Sequence, residues 1–122
     1  MSVVICEDNR KDQFELRRIL ESGHIPVLET FNHGRDLMNW LEANPGKAQI
    51  VLLDIIMPVL DGYAAFCEIQ AKKLSVQVIF VTVENSRDVI RSLVDKGAAQ
   101  YITKPLDRDS VIQKIRQVLA KK

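Results

Sequence analysis

Hydrophobic and polar positions along the chain follow two alternating rhythms. Three short runs, Val3-Val4-Ile5-Cys6, Ile50-Val51-Leu52-Leu53 and Val78-Ile79-Phe80-Val81, are unbroken by polar residues. Runs of this length read as strands, and the lack of alternation reads as burial on both faces, as in the middle of a parallel sheet. Between them, apolar residues recur at helical spacing. Leu16, Ile19 and Leu20 form the face of a first helix that stops near Gly23. Asn9 is one candidate cap for it, and Asp12, at capping-box spacing from Glu15, is another. Leu37, Trp40 and Leu41 give a second helix its apolar face, before the break at Asn44-Pro45-Gly46. Phe66 and Ile69 anchor a third over Tyr63 to Lys72. Val89, Ile90, Leu93 and Val94 make a fourth that closes at Gly97. Val111, Ile112, Ile115, Val118 and Leu119 carry the clearest helical period in the chain. Ile25 to Phe31 predicts a further strand, in which Pro26 suits only the first residues or an edge. Gln100-Tyr101-Ile102 predicts a short last strand.

Strict alternation of strand and helix predicts an α/β fold with helices on both faces of a parallel sheet. Right-handed crossovers leave few topologies. The best fit is a doubly wound five-stranded parallel sheet of order 2-1-3-4-5, the flavodoxin-like arrangement. A dinucleotide-binding half domain would need a glycine-rich first turn, and Glu7-Asp8-Asn9 stands there instead. A length of 122 residues predicts a single domain over 1–122, large enough to bury its own core.

Composition narrows the function classes. The 17 basic and 16 acidic residues leave a formal charge of +1, which provides no field for gathering DNA or anionic lipid. No stretch is apolar for long enough to span a membrane, and no secretory leader is visible, so a cytoplasmic location is expected. Cys6 and Cys67 both read as small buried hydrophobes rather than a disulfide. His24 and His33 read as surface or turn residues.

In a parallel sheet every strand delivers its last residues to one edge, and ligands bind there near the point where strand order reverses. The chain places Glu7 and Asp8 after the first strand, Asp54 after the third, Thr82 after the fourth and Lys104 after the fifth. Singly, such residues serve as helix caps, turns or solvated charges. Together they suggest phosphoryl chemistry. Three crowded carboxylates repel one another, and a hard cation such as Mg²⁺ relieves that repulsion. A carboxylate beside it can attack phosphorus, and a lysine and a hydroxyl can stabilise the phosphoryl oxygens.

The set Glu7-Asp8, Asp54, Thr82 and Lys104-Pro105 resembles the receiver domains of two-component response regulators. The resemblance runs from Val3 to about Leu119. It includes the stretch Leu52 to Gly62, with its Met57-Pro58 and Asp61-Gly62, and Tyr101-Ile102-Thr103-Lys104-Pro105. It implies that Asp54 is the phosphoacceptor and that Mg²⁺ is held by Asp8, Glu7, Asp54 and the backbone carbonyl of Ile56. It implies that Thr82 and Lys104 contact the phosphoryl group, that Tyr101 is a switch residue moving with Thr82, and that the Lys104-Pro105 bond is cis. A histidine kinase or histidine phosphotransfer protein would be the donor. A downstream protein would read the face of the fourth helix, fifth strand and fifth helix, with the chain a monomer or a phosphorylation-dependent homodimer.

Two departures from the family pattern stand out. The acid pair is Glu-Asp, and Thr82 is followed by Val83, where a small residue is usual and a bulkier one is expected to crowd the site. Ile56 and Glu84 occupy positions that tune phosphoryl lifetime, with opposite expected effects. Two other readings remain open on the residues alone. One is a Mg²⁺-dependent phosphatase or phosphotransferase with an aspartate nucleophile, disfavoured because Ile56 stands where a second acid is needed. The other is a degenerate receiver kept as a binding module.

Overall fold

A computed structural model describes residues 2–55, 61–83 and 87–120. The elements alternate along the chain as β1 (Val3–Cys6), α1 (Arg10–Ser22), β2 (Val27–Phe31), α2 (Gly34–Ala43), β3 (Ile50–Leu53), α3 (Gly62–Ala71), β4 (Gln77–Thr82), α4 (Arg87–Asp95), β5 (Gln100–Thr103) and α5 (Arg108–Ala120). The strands form one parallel sheet in the order β2-β1-β3-β4-β5, as expected from the alternation.

The pleat sends alternate side chains of each strand to opposite faces, and the core divides accordingly. Val4, Cys6, Val51, Leu53, Val78 and Phe80 pack against α2, α3 and α4 through Leu37, Met38, Leu41, Phe66, Ile69 and Leu93. Val3, Ile5, Ile50, Leu52, Ile79, Val81 and Ile102 pack against α1 and α5 through Leu16, Ile19, Leu20, Val111, Ile112 and Ile115. This two-sided burial is why β1 and β3 carry no polar residue.

Local signals set the ends of the helices. Asn9 caps α1, its side chain accepting from Asp12 N at 3.0 Å, so the Asn9 alternative holds. Asp61 caps α3 in the same way, accepting from Ala64 N at 2.8 Å. β2 begins at Val27 because Pro26 has no N–H for the ladder, and the strand lies at the sheet edge.

One expectation needs correction. Cys67 is exposed, while Cys6 is buried. Adjacent helical positions point about 100° apart, so burial of Phe66 turns Cys67 outward. The apolar face of α4 is only partly covered: Leu93 is buried, whereas Val89 and Val94 face solvent. Val83, just after β4, is 66% exposed.

Candidate active site at the carboxyl edge of the sheet

Strand register aligns the site before any side chain is considered. Cys6 pairs with Leu53, Leu53 with Phe80 and Phe80 with Tyr101, so the residues that follow emerge together. Glu7 and Asp54 therefore leave the sheet side by side, and Asp54 N donates to Cys6 O at 3.0 Å. One carboxylate oxygen each from Glu7, Asp8 and Asp54 lies within 4.8 Å of the others. Glu7 is 1% exposed and Asp54 7%, while Asp8 faces solvent.

Lys104 enters this cluster from β5. Its Nζ lies 2.8 Å from Glu7 Oε1, 2.9 Å from Asp12 Oδ2 and 3.7 Å from Asp54 Oδ2. Its backbone N donates to Thr82 O at 2.8 Å, which ties the ends of β4 and β5 together. The Lys104-Pro105 bond is cis. Thr82 is buried at the end of β4.

The electrostatics follow from crowding. Burial, aided by Asp54, pushes the Glu7 carboxyl up to about 7, although Lys104 and the Asn9 N–H, which donates to Glu7 Oε2 at 3.1 Å, pull the other way. Burial works against the Lys104 ammonium, yet its contacts with Glu7 and Asp12 and the charge of Asp54 hold it above the ordinary lysine value. Burial, followed by the charges of Glu7 and Asp54, lifts the Cys6 thiol to about 12, so it stays protonated beneath the site.

The residues present fit a hard divalent cation. The donors are all carboxylate oxygens. The buried Glu7 Oε1 is close to Lys104 but not aligned with any hydrogen-bond donor among the described residues, which leaves it a lone pair to offer.

Residues 3–116 match the response regulator receiver domain family. The chain belongs to that family, the phosphoryl-accepting switches of two-component systems. Among curated relatives, this receiver is 28% identical over 117 residues to the chemotaxis protein CheY of Treponema pallidum, covering 96% of the chain and 81% of CheY. It is 29% identical over 119 residues to the transcriptional regulatory protein PcoR of Escherichia coli, covering 96% of the chain but only half of PcoR. Among solved structures, the CheX–CheY–BeF₃–Mg²⁺ complex of Borrelia burgdorferi superposes with a TM-score of 0.93 at 27% identity, covering 99% of this chain and 90% of that one.

Of the residues singled out in the sequence, the structure gathers Glu7, Asp8, Asp54 and Lys104 into one cluster, with Thr82 joined to it through the backbone of Lys104. Tyr101 lies half-buried on the α2–α3–α4 face, with Lys114 Nζ 4.5 Å from its ring centroid and donating to its carbonyl at 2.9 Å. Ile56 and Glu84 lie outside the described residues.

The site roles of three residues escaped the sequence reading. Asp12 holds Lys104. Gln13 donates from Nε2 to Glu7 O at 3.0 Å and to Phe31 O at 3.3 Å, fastening α1 to the ends of β1 and β2. Gly62 N donates to Ile55 O at 2.7 Å, closing the loop after Asp54. Only Gly62 carried a local signal, in Asp61-Gly62.

Proposed function

We propose that Asp54 is the phosphoryl acceptor of this receiver and that Glu7, Asp8 and Asp54 hold Mg²⁺ for the transfer. The observation that carries the reading is the convergence of three carboxylates within 4.8 Å with the Lys104 ammonium beside them. The BeF₃- and Mg²⁺-bound state of the Borrelia burgdorferi CheY supports it by similarity. The same reading gives Ile56 a backbone contact with the cation, Thr82 and Lys104 the phosphoryl oxygens, and Tyr101 the switching role. The family match over residues 3–116 supports treating 1–122 as one receiver domain.

The chain's own residues would act as follows. An Asp54 carboxylate oxygen forms a P–O bond while the donor's P–N bond breaks. The electron pair leaves on the donor imidazole nitrogen, which takes up a proton from solvent. Lys104 offsets charge on the phosphoryl oxygens, and Glu7 and Asp8 would hold the cation. Mg²⁺ bound there would supply Lewis-acid neutralisation of the transferring group. The donor is a histidine kinase or histidine phosphotransfer protein, and the reader is a protein that distinguishes the phosphorylated α4–β5–α5 face. The chain turns over once per phosphoryl group and works as a signalling switch in the cytoplasm. None of the helices among the described residues is long and apolar enough to cross a membrane.

Incubation with a small acyl phosphate and Mg²⁺, followed by intact-mass measurement, tests the assignment. The wild-type chain gains one phosphoryl mass and Asp54→Asn gains none. An Asp54→Asn variant that still gained that mass would place the acceptor elsewhere.

A further inference from the structure

Lys104 stands closer to two other acids than it does to Asp54. Its Nζ is 2.8 Å from Glu7 and 2.9 Å from Asp12, against 3.7 Å from Asp54. The Asp12 contact is a hydrogen bond between residues 92 apart in the chain. The pleat explains the direction. Ile102 points to the face covered by α1 and α5, and Lys104, two residues on, emerges toward the same side. Asp12 waits there in the first turn of α1.

An ammonium has three N–H donors and no acceptor. A donor committed to Asp12 is aimed at α1 and away from Asp54. The Asp12 carboxylate is spare for this purpose: the cap of α1 uses its backbone N–H, which donates to Asn9. Its side chain is 28% exposed, so it is not needed to fill the core.

We propose that Asp12 is a positioning residue that draws the Lys104 ammonium toward α1 and so restrains phosphoryl transfer to Asp54. The proposal rests on the reading of Asp54 as acceptor. Neutralising Asp12 leaves Glu7 as a counter-anion and releases one N–H for the phosphoryl oxygens. Asp12 thereby sets the rate from outside the metal cluster.

A double-mutant cycle across Asp12→Asn and Lys104→Gln in the full chain tests it, with two readouts. The first is the rate of mass gain from acetyl phosphate at saturating Mg²⁺. Asp12→Asn accelerates it by about two- to fivefold, the range of a partly screened charge contact. Asp12→Glu, which keeps the charge, stays near the wild-type rate. In the Lys104→Gln background Asp12→Asn gives no acceleration, which separates release of the lysine from mere loss of a charge near an anionic donor. A slower or unchanged rate for Asp12→Asn, or equal acceleration in both backgrounds, overturns the proposal.

The second readout is thermal unfolding without Mg²⁺, where the two substitutions should be non-additive. A phosphorylated wild type with additive unfolding effects overturns this proposal alone. A wild-type chain that takes no phosphoryl group overturns the acceptor reading, and this proposal with it.

Discussion

A Cβ placed on Gly62 would lie 1.9 Å from the backbone carbonyl oxygen of Asp54. The start of α3 thus presses directly on the backbone of Asp54. The neighbour on the other side is main chain, which cannot rotate away as a side chain can. Gly62→Ala is expected to cost about 1–3 kcal/mol, the usual range for overpacking, and to slow phosphorylation by displacing Asp54. Chemical denaturation and the rate of mass gain check both effects. Wild-type stability and rate in Gly62→Ala would show that the backbone absorbs the contact.

The Glu7 carboxyl gives the site a pH dependence. Its folded value of about 7 lies above the ordinary carboxylate value, so the proton is bound more tightly in the folded chain. Its stabilising contribution is complete below about pH 4.5 and is lost as pH rises through about 7. The metal-free thermal midpoint should therefore fall across this window. Mg²⁺ competes with the proton, so its affinity should rise by up to about tenfold per pH unit until pH 7. Glu7→Gln should flatten the stability profile. Titration calorimetry and thermal melts from pH 5 to 8 measure the two trends, and a profile that Glu7→Gln leaves unaltered would contradict this origin.

Crowding of like charges gives a prediction of opposite sign to the loss of function. Glu7, Asp8 and Asp54 share a small space, and carboxylates this close destabilise one another in the absence of a cation. Asp54→Asn should raise metal-free stability, on the order of 1 kcal/mol, while weakening Mg²⁺ binding. Melts with and without Mg²⁺ read both effects. A less stable metal-free Asp54→Asn would mean that Lys104 already balances the cluster.

The core and the surface should respond on different scales. Phe80 is fully buried and meets Phe66 edge-on, with ring centroids 5.2 Å apart at 75°. Phe80→Ala should cost about 3–5 kcal/mol. Glu68 joins α3 to Arg35 of α2 through two hydrogen bonds, of 2.9 and 3.3 Å, and Arg35, followed by Lys72, holds its carboxyl below the ordinary value. That pair is half-buried and partly screened, so Glu68→Gln should cost on the order of 1 kcal/mol and less at high salt. Urea midpoints of the two variants at low and high salt decide the ranking.

The sheet was legible because burial on both faces forbids polar residues, and Val3–Cys6 and Ile50–Leu53 obey that rule without exception. The site was legible because parallel strands send their last residues to one edge, which put Glu7, Asp8, Asp54 and Lys104 together before any coordinates. Periodicity gave the fourth helix but not the covering of its face. Val89 and Val94 have the right spacing for a helix face, but spacing names the residues that share a face and says nothing of what covers it. The Asp12–Lys104 contact was hidden for a related reason. It joins the first turn of α1 to the end of β5, and no local pattern records a pairing over such a separation.

The two elements on either side of the chemistry differ in what it takes to move them. β3 lies between β1 and β4 with all four residues buried, so shifting it would break two ladders and open both cores at once. Among the described residues α4 buries one large apolar side chain in the core, Leu93. Uncovering a leucine costs about 1.5–3 kcal/mol, a sum that one or two charge-assisted hydrogen bonds can match. The molecule thus sets a still floor under Asp54 and a loosely moored indicator beside it. Under the proposed acceptor role of Asp54, a mark made on the floor would be read from the indicator without rewriting the core.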